Sequence, residues 1–296
     1  MHSFSASDNQ RAAVATIREA RSVSYSPEML LMLVLGLMAT GAIAGILAGM
    51  LGIGGGIILV PVLFLIYDFM NVPADIIMHA AVGTSLATII PTSISSALAH
   101  HRRDSIDLGI LRRWSPFIIL GAGSGGILSH YIESATLTLI FGCLAIAVAV
   151  NMMMPHTPKM GTILPKAGPL EKVISSFIGF FSALMGIGGG TMSIPVMTAL
   201  SVPVHRAIGT SAAFGFMIAL PGAFGFMWSG WDVAMRLPYS LGFVNLPVAV
   251  LLFSVSIFTA PMGSRLAHAL DPVRLKRAFA LFLIISAARM LYSVLA

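Results

Sequence analysis

Charge is what this 296-residue sequence has least of: Asp, Glu, Lys and Arg together make up 9% of it, against about 25% in an average soluble domain. So few charges could not cover a water-soluble fold. Cysteine is nearly missing as well, and the single Cys143 excludes an internal disulfide framework or a CxxC metal site. No acidic residue stands inside a long apolar run, and Arg289, the one basic residue in such a run, can snorkel, so a conventional buried-carboxylate proton relay is not expected. The first 28 residues lack the apolar core and small-residue cleavage site of a signal peptide. They are expected to be retained as a polar or interfacial segment.

Apolar residues, at 57%, fill the rest. Runs close to the roughly 20 residues needed to cross a bilayer fall at 29–50, 78–99, 137–154, 207–228, 237–262 and 278–296. Shorter pieces lie at 57–67, 114–128, 173–185 and 191–202. No alternating ten-residue pattern appears, and backbone in lipid must bond to itself, so these segments are helices rather than barrel strands. The expected fold is an all-α polytopic transmembrane bundle. Gly41, Gly45 and Gly49, and Gly121 with Gly125, recur at four-residue spacing, which predicts close helix packing.

The sequence repeats itself. LGIGGGIILVP at 51–61 returns as MGIGGGTMSIP at 185–195, and AVGTSLA at 81–87 returns as AIGTSAA at 207–213. Two paired motifs in one order define two homologous halves, 29–154 and 171–296, joined by a Pro- and Gly-rich linker over 155–170. Basic residues gather at Arg102, Arg103, Arg112 and Arg113, at Lys159, Lys166 and Lys172, at Arg206, and at Arg265, Arg274, Lys276 and Arg277. The positive-inside rule places these segments in the cytoplasm and the segments holding Asp68, Asp75, Glu133 and Asp232 outside. Counterpart segments of the two halves then face opposite sides, so the repeats are expected to be inverted, with the glycine motifs meeting near the midplane.

Four glycines in five positions end any helix, so each GIGGG motif marks a helix broken at membrane depth, where transporters place substrate sites. The helix that restarts after each motif presents free N–H groups and the positive end of its dipole, which favour an anion. The candidate substrate ligands are Gly54, Gly55, Gly56, Thr84 and Ser85, with their partners Gly188, Gly189, Gly190, Thr210 and Ser211. The hydroxyls could donate to an oxyanion; equally, they could bond helix backbone. His79, His100, His101, His130, His156, His205 and His268 flank the spans and read as interfacial polar residues. No metal, cofactor or nucleic-acid signature is present.

The doubled GIGGG-x4-P and GTS motifs, with His100, Arg102 and Arg103 closing the third stretch, resemble the sulfite exporter TauE/SafE family of membrane transporters over about 31–295. That resemblance implies a multi-pass protein of the bacterial cytoplasmic membrane that moves small sulfur-containing anions such as sulfite, sulfoacetate or sulfonates. It implies the glycine and GTS residues as the site. An anion channel with the same site stays open, since channels and carriers share broken helices. An intramembrane enzyme built on Ser124 and His130 is disfavoured, because six residues along a helix put them on different faces. Whether the chain pairs with a second copy is left open.

Overall fold

The computed structural model describes residues 26–52, 54–153, 168–233, 236–266 and 272–295, without the side chains of 272–276. The chain divides into two units, Met1–Gly36 and Leu37–Ala296. Of the first only 26–36 is described, as the opening turns of a helix; the contacts below belong to the second. The N-terminal segment 1–28 and the linker 155–170 fall outside the described residues except at 26–28 and 168–170.

Ten α-helices make up the described chain: α1 (Pro27–Leu51), α2 (Gly56–Phe69), α3 (Ala74–His101), α4 (Leu108–Leu128), α5 (Ser134–Met153), α6 (Pro169–Leu184), α7 (Gly190–Ala199), α8 (Val204–Ser229), α9 (Leu246–Leu266) and α10 (Pro272–Leu295). The only sheet among these residues is a two-stranded hairpin, β1 (Ser240–Leu241) with β2 (Val244–Asn245). The protein is an all-α polytopic bundle, and six of the described helices are long and apolar enough to cross a membrane: α1, α3, α5, α8, α9 and the Arg277–Leu295 part of α10.

Two helix boundaries depart from the apolar runs. The short piece at 114–128 is the end of a 21-residue helix, because Asp107 caps α4 by accepting from the Ile110 N–H at 3.0 Å and so starts it before the two arginines. The long run at 237–262 is interrupted. Tyr239 and Gly242 take φ of 58° and 55°, the hairpin forms, and Asn245 then caps α9 by accepting from the Val248 N–H at 3.1 Å.

At both glycine motifs the helix stops and restarts. Gly52 and Gly186 have φ of 65° and 63°, the left-handed position after a helix end that glycine adopts without a steric penalty. Gly52 N–H returns to Ala48 O, and Ile187 N–H to Ser182 O, both at 2.9 Å. In motif register α1 to α5 match α6 to α10. The glycine and GTS motifs are eight residues farther apart in the first half, and the excess divides evenly. The helix α2 has 14 residues where α7 has 10, and α3 begins four residues earlier relative to its GTS than α8 does. In the first half α2 is one turn longer at its end and α3 starts one turn earlier.

The matching helices α3 and α8 pack against each other and run antiparallel. A Cβ on Gly83 would lie 3.3 Å from Phe226 Cβ, one on Gly222 3.1 Å from Leu86 Cδ1, and one on Gly215 3.2 Å from Ser93 Cβ; as one number rises the other falls. The glycine series serve as seams, as their spacing predicts. A Cβ on Gly41 would meet Leu252 O at 2.5 Å and one on Gly45 would meet Ser256 O at 2.7 Å, so α1 lies backbone to backbone on α9. Likewise a Cβ on Gly125 would stand 2.7 Å from Phe180 O, which puts α4 on α6 in the same way. Close approach of this kind supplies the packing that a lipid environment does not drive hydrophobically.

Charged residues collect at two ends. Arg103 Nη1 donates to Ser264 O at 2.5 Å, Arg206 lies 3.9 Å from Asp107 and Arg113 3.3 Å from Glu171. Asp68, Asp75 and Glu133 line one cavity of about 410 Å³, with Arg289 3.6 Å from Asp68. Since α3 carries Asp75 in its first turn and is followed by Arg102 and Arg103, these ends are separated by its length of about 40 Å.

Candidate functional site

The two glycine motifs, 134 residues apart in register, touch. A Cβ on Gly54 would lie 2.9 Å from Gly188 Cα, and one on Gly56 3.0 Å from Ile187 Cα. Gly54, Gly55, Gly56, Gly188, Gly189 and Gly190 are all buried, as are Thr84, Ser85, Thr210 and Ser211. The ten candidate residues therefore form one region where the two broken helix pairs cross.

The GTS triplets tie that region together, each reaching across to the other half. Ser85 Oγ donates to Gly186 O at 2.8 Å, and its counterpart Ser211 Oγ donates to Gly52 O at 3.0 Å. Thr84 Oγ1 accepts from the Asn245 N–H at 3.0 Å, and Thr210 Oγ1 from the Asp107 N–H at 2.9 Å. Gly83 leaves room for the Phe243 carbonyl, which a Cβ there would meet at 3.0 Å, and Gly209 does the same for Ser105. Within each triplet glycine admits the loop, threonine bonds it, and serine holds the opposite glycine turn. In this structure the serine protons go to protein carbonyls. Thr84 and Thr210 accept, and their own protons have no acceptor among the described residues.

Main-chain donors remain at the restarting helices. The first N–H inside α7 to reach a carbonyl is that of Ser193, bonding Gly189 O at 3.1 Å. Those of Gly190, Thr191 and Met192 have no acceptor among the described residues, as expected for a helix start. Gly190 and Thr191 also line a cavity of about 940 Å³ bounded by α5, α6 and α7, whose wall is mainly apolar with Asn151 and Thr198 among it.

The two halves are not equal here. Gly54 and Gly55 take φ of 77° and 78°, whereas Gly189 stays in the right-handed region at −56°. The extra turn of α2 brings the Tyr67 hydroxyl to Thr84 Oγ1 at 3.2 Å.

Two histidines expected at the interface are instead buried in α3. His79 is 4% exposed and its Nε2 lies 3.0 Å from Ser129 O, with the ring stacked 4.7 Å from Phe243. His100 is 7% exposed and its Nε2 lies 3.1 Å from Gly49 O. Each imidazole satisfies a carbonyl at a helix end, which is why burial is tolerated. Sequence reading also missed Glu171, buried under Trp114, whose indole N–H donates to it at 2.6 Å; no spacing signal links residues 57 apart. Ser124 Oγ donates to Gly121 O at 2.8 Å and His130 Nδ1 faces Ser229 O at 3.0 Å.

The profile of the family described as sulfite exporter TauE/SafE matches residues 37–290. A probable membrane transporter protein of Haemophilus influenzae is 36% identical over 255 residues, covering 86% of this chain and 96% of that one. One of Methanocaldococcus jannaschii is 30% identical over 257 residues, covering 84% and 91%. Another of Bacillus subtilis is 28% identical over 227 residues, covering 68% and 82%. No solved structure matches. The matched span holds all six long apolar helices in whole or part, both glycine motifs and both GTS latches, and the chain is a multi-pass membrane transporter that belongs to the sulfite exporter TauE/SafE family.

Proposed function

We propose that this transporter carries a small anion bearing a sulfur oxyanion group, such as sulfite, sulfoacetate or another sulfonate, by alternating access between two inverted repeats. The anion binds at the crossing of the two glycine motifs. The observation that carries this reading is the reciprocity of the contacts there: each GTS triplet bonds the other half's glycine turn and the loop before the other half's fourth helix. Antiparallel packing of the matching helices α3 and α8 supports the inversion. Exchanging the roles of two such halves gives two conformations of similar energy around one site.

An anion suits the site because the donors there are uncharged. Helix-start N–H groups and hydroxyls stabilise a negative charge without burying an unpaired arginine, which is costly in a membrane. Thr84 and Thr210 supply hydroxyl donors, while Ser85 and Ser211 hold the turns in place. By the positive-inside rule the end with Arg103, Arg113, Arg206 and Arg265 faces the cytoplasm.

A thermal-shift screen of the purified protein tests this reading, because a ligand that binds only the folded state raises its stability. Sulfite, sulfoacetate or taurine should raise the melting temperature in a saturable way, and acetate should not. No shift with any sulfur anion, or an equal shift with acetate, would overturn the substrate class.

A further inference from the structure

We infer that the two glycine motifs divide the work: the second, with Ser93 and Thr191 as hydroxyl donors, holds the anion, and the first is a closed structural copy. This rests on the reading of the glycine crossing as the anion site and names the half of it that binds.

The first motif is filled. Ile89 of α3 packs into it, so that a Cβ on Gly56 would stand 2.6 Å from Ile89 Cδ1 and one on Gly54 3.4 Å from Ile89 Cγ2. In the register of the GTS motifs the second half has Gly215 where the first has Ile89. α8 still packs on its own motif, since a Cβ on Gly189 would stand 2.6 Å from Phe214 Cβ, but with no side chain at 215 the place that Ile89 fills in the first half goes to Ser93 of α3. The point where a Cβ on Gly215 would fall lies in contact with Ser93 Oγ and 3.9 Å from the Gly189 N.

Ser93 is 1% exposed and its hydroxyl has no partner among the described residues. A buried hydroxyl left so is a cost to stability unless something else bonds it. Thr191, the second residue of α7, is 6% exposed, is likewise unpartnered, and lines the 940 Å³ cavity beside Gly190. Ser182, within the last turn of α6, is a third such hydroxyl. Their counterparts in the first half are Ala219 for Ser93, Ile57 for Thr191 and Ala48 for Ser182, none of which can donate. Three buried hydroxyls without partners among the described residues thus belong to α3, α6 and α7 around the second motif, where α7 also leaves the N–H groups of Gly190, Thr191 and Met192 free, and the first motif has apolar side chains in all three places. Ser96, one turn along α3 from Ser93, is a further unpartnered hydroxyl. An oxyanion with three acceptor oxygens satisfies this set of donors.

Isothermal titration of the full-length protein in detergent with sodium sulfite separates the possibilities, with melting temperature recorded for every variant. Ser93→Ala and Thr191→Val should each weaken sulfite binding about 10- to 150-fold, the loss of one hydrogen bond to a charged group, with melting unchanged or raised. The apolar counterparts Ala219→Gly and Ile57→Val should bind within twofold of the unaltered chain. Binding by Ser93→Ala and Thr191→Val within twofold of the unaltered protein would overturn the division of labour while leaving the anion site intact. No sulfite, sulfate or sulfoacetate binding by the unaltered protein would overturn the anion site itself, and this inference with it.

Discussion

Ser85 and Gly186 lie in different halves of the chain, and the Ser85 hydroxyl holds the Gly186 carbonyl at 2.8 Å while their counterparts Ser211 and Gly52 repeat the bond at 3.0 Å. Each turn that breaks a helix is thus fastened by the other repeat. Replacing Ser85 or Ser211 with Ala leaves a buried carbonyl of a glycine turn without its donor. Each change should cost about 1–3 kcal/mol of stability and reduce transport, measured as melting temperature and flux. Unchanged melting for both variants would show that the latches hold nothing.

Thr84 carries two bonds where Thr210 carries one, from Asn245 N–H and Tyr67 Oη against Asp107 N–H alone. Valine keeps the shape and removes the acceptor. Thr84→Val should therefore lower the melting temperature more than Thr210→Val, by the consequence of one further unpaired group, about 1 kcal/mol. Tyr67→Phe should bring the two closer. The reverse order in a thermal melt would contradict this.

Seam glycines should behave differently from a glycine with room around it. A Cβ on Gly45 would meet Ser256 O at 2.7 Å and one on Gly125 would meet Phe180 O at 2.7 Å, whereas one on Gly123 meets only Pro221 Cβ at an ordinary 3.8 Å. Gly45→Val and Gly125→Val should lose yield or melt early, since rigid backbone has to move; Gly123→Ala should hold or gain up to about 1 kcal/mol from helix propensity. Equal loss in all three, read by yield and melting in detergent, would mean that the seams do not set the helix spacing.

The charge segregation makes a topological prediction. With Cys143 replaced by Ala, a single cysteine at Asp104 should react with a membrane-impermeant maleimide only from the cytoplasmic side, and one at Glu133 only from outside. These positions are at opposite ends of the bundle, one beyond the last turn of α3 and the other before α5. Labelling of both from one side would remove the orientation.

The broken helices and the doubled halves were legible because glycine runs and repeated tripeptides are local signals. Helix ends at Asp107 and Asn245 were not read, since a cap is a single side chain whose effect depends on φ at the residues before it. The GTS hydroxyls illustrate the middle case: their place beside the glycine turns follows from the repeat, but their partners in the opposite half do not. His79 and His100 read as interfacial because nothing local reveals the carbonyls of Ser129 and Gly49, 50 and 51 residues away, that they meet. The contrast of Ile89 with Gly215 is plain in the sequence, yet it has no meaning until packing shows which space each one fills or leaves.

Counterflow in proteoliposomes probes the transport cycle most directly. Vesicles loaded with unlabelled sulfite and diluted into radiolabelled sulfite should accumulate label transiently, with an initial rate that saturates and that falls when Ser85 or Thr210 is altered. One site exposed to the two sides in turn by alternating access requires this overshoot. Uptake without an overshoot that rises linearly with sulfite, or unitary currents across a bilayer, would contradict a carrier and leave a channel in its place.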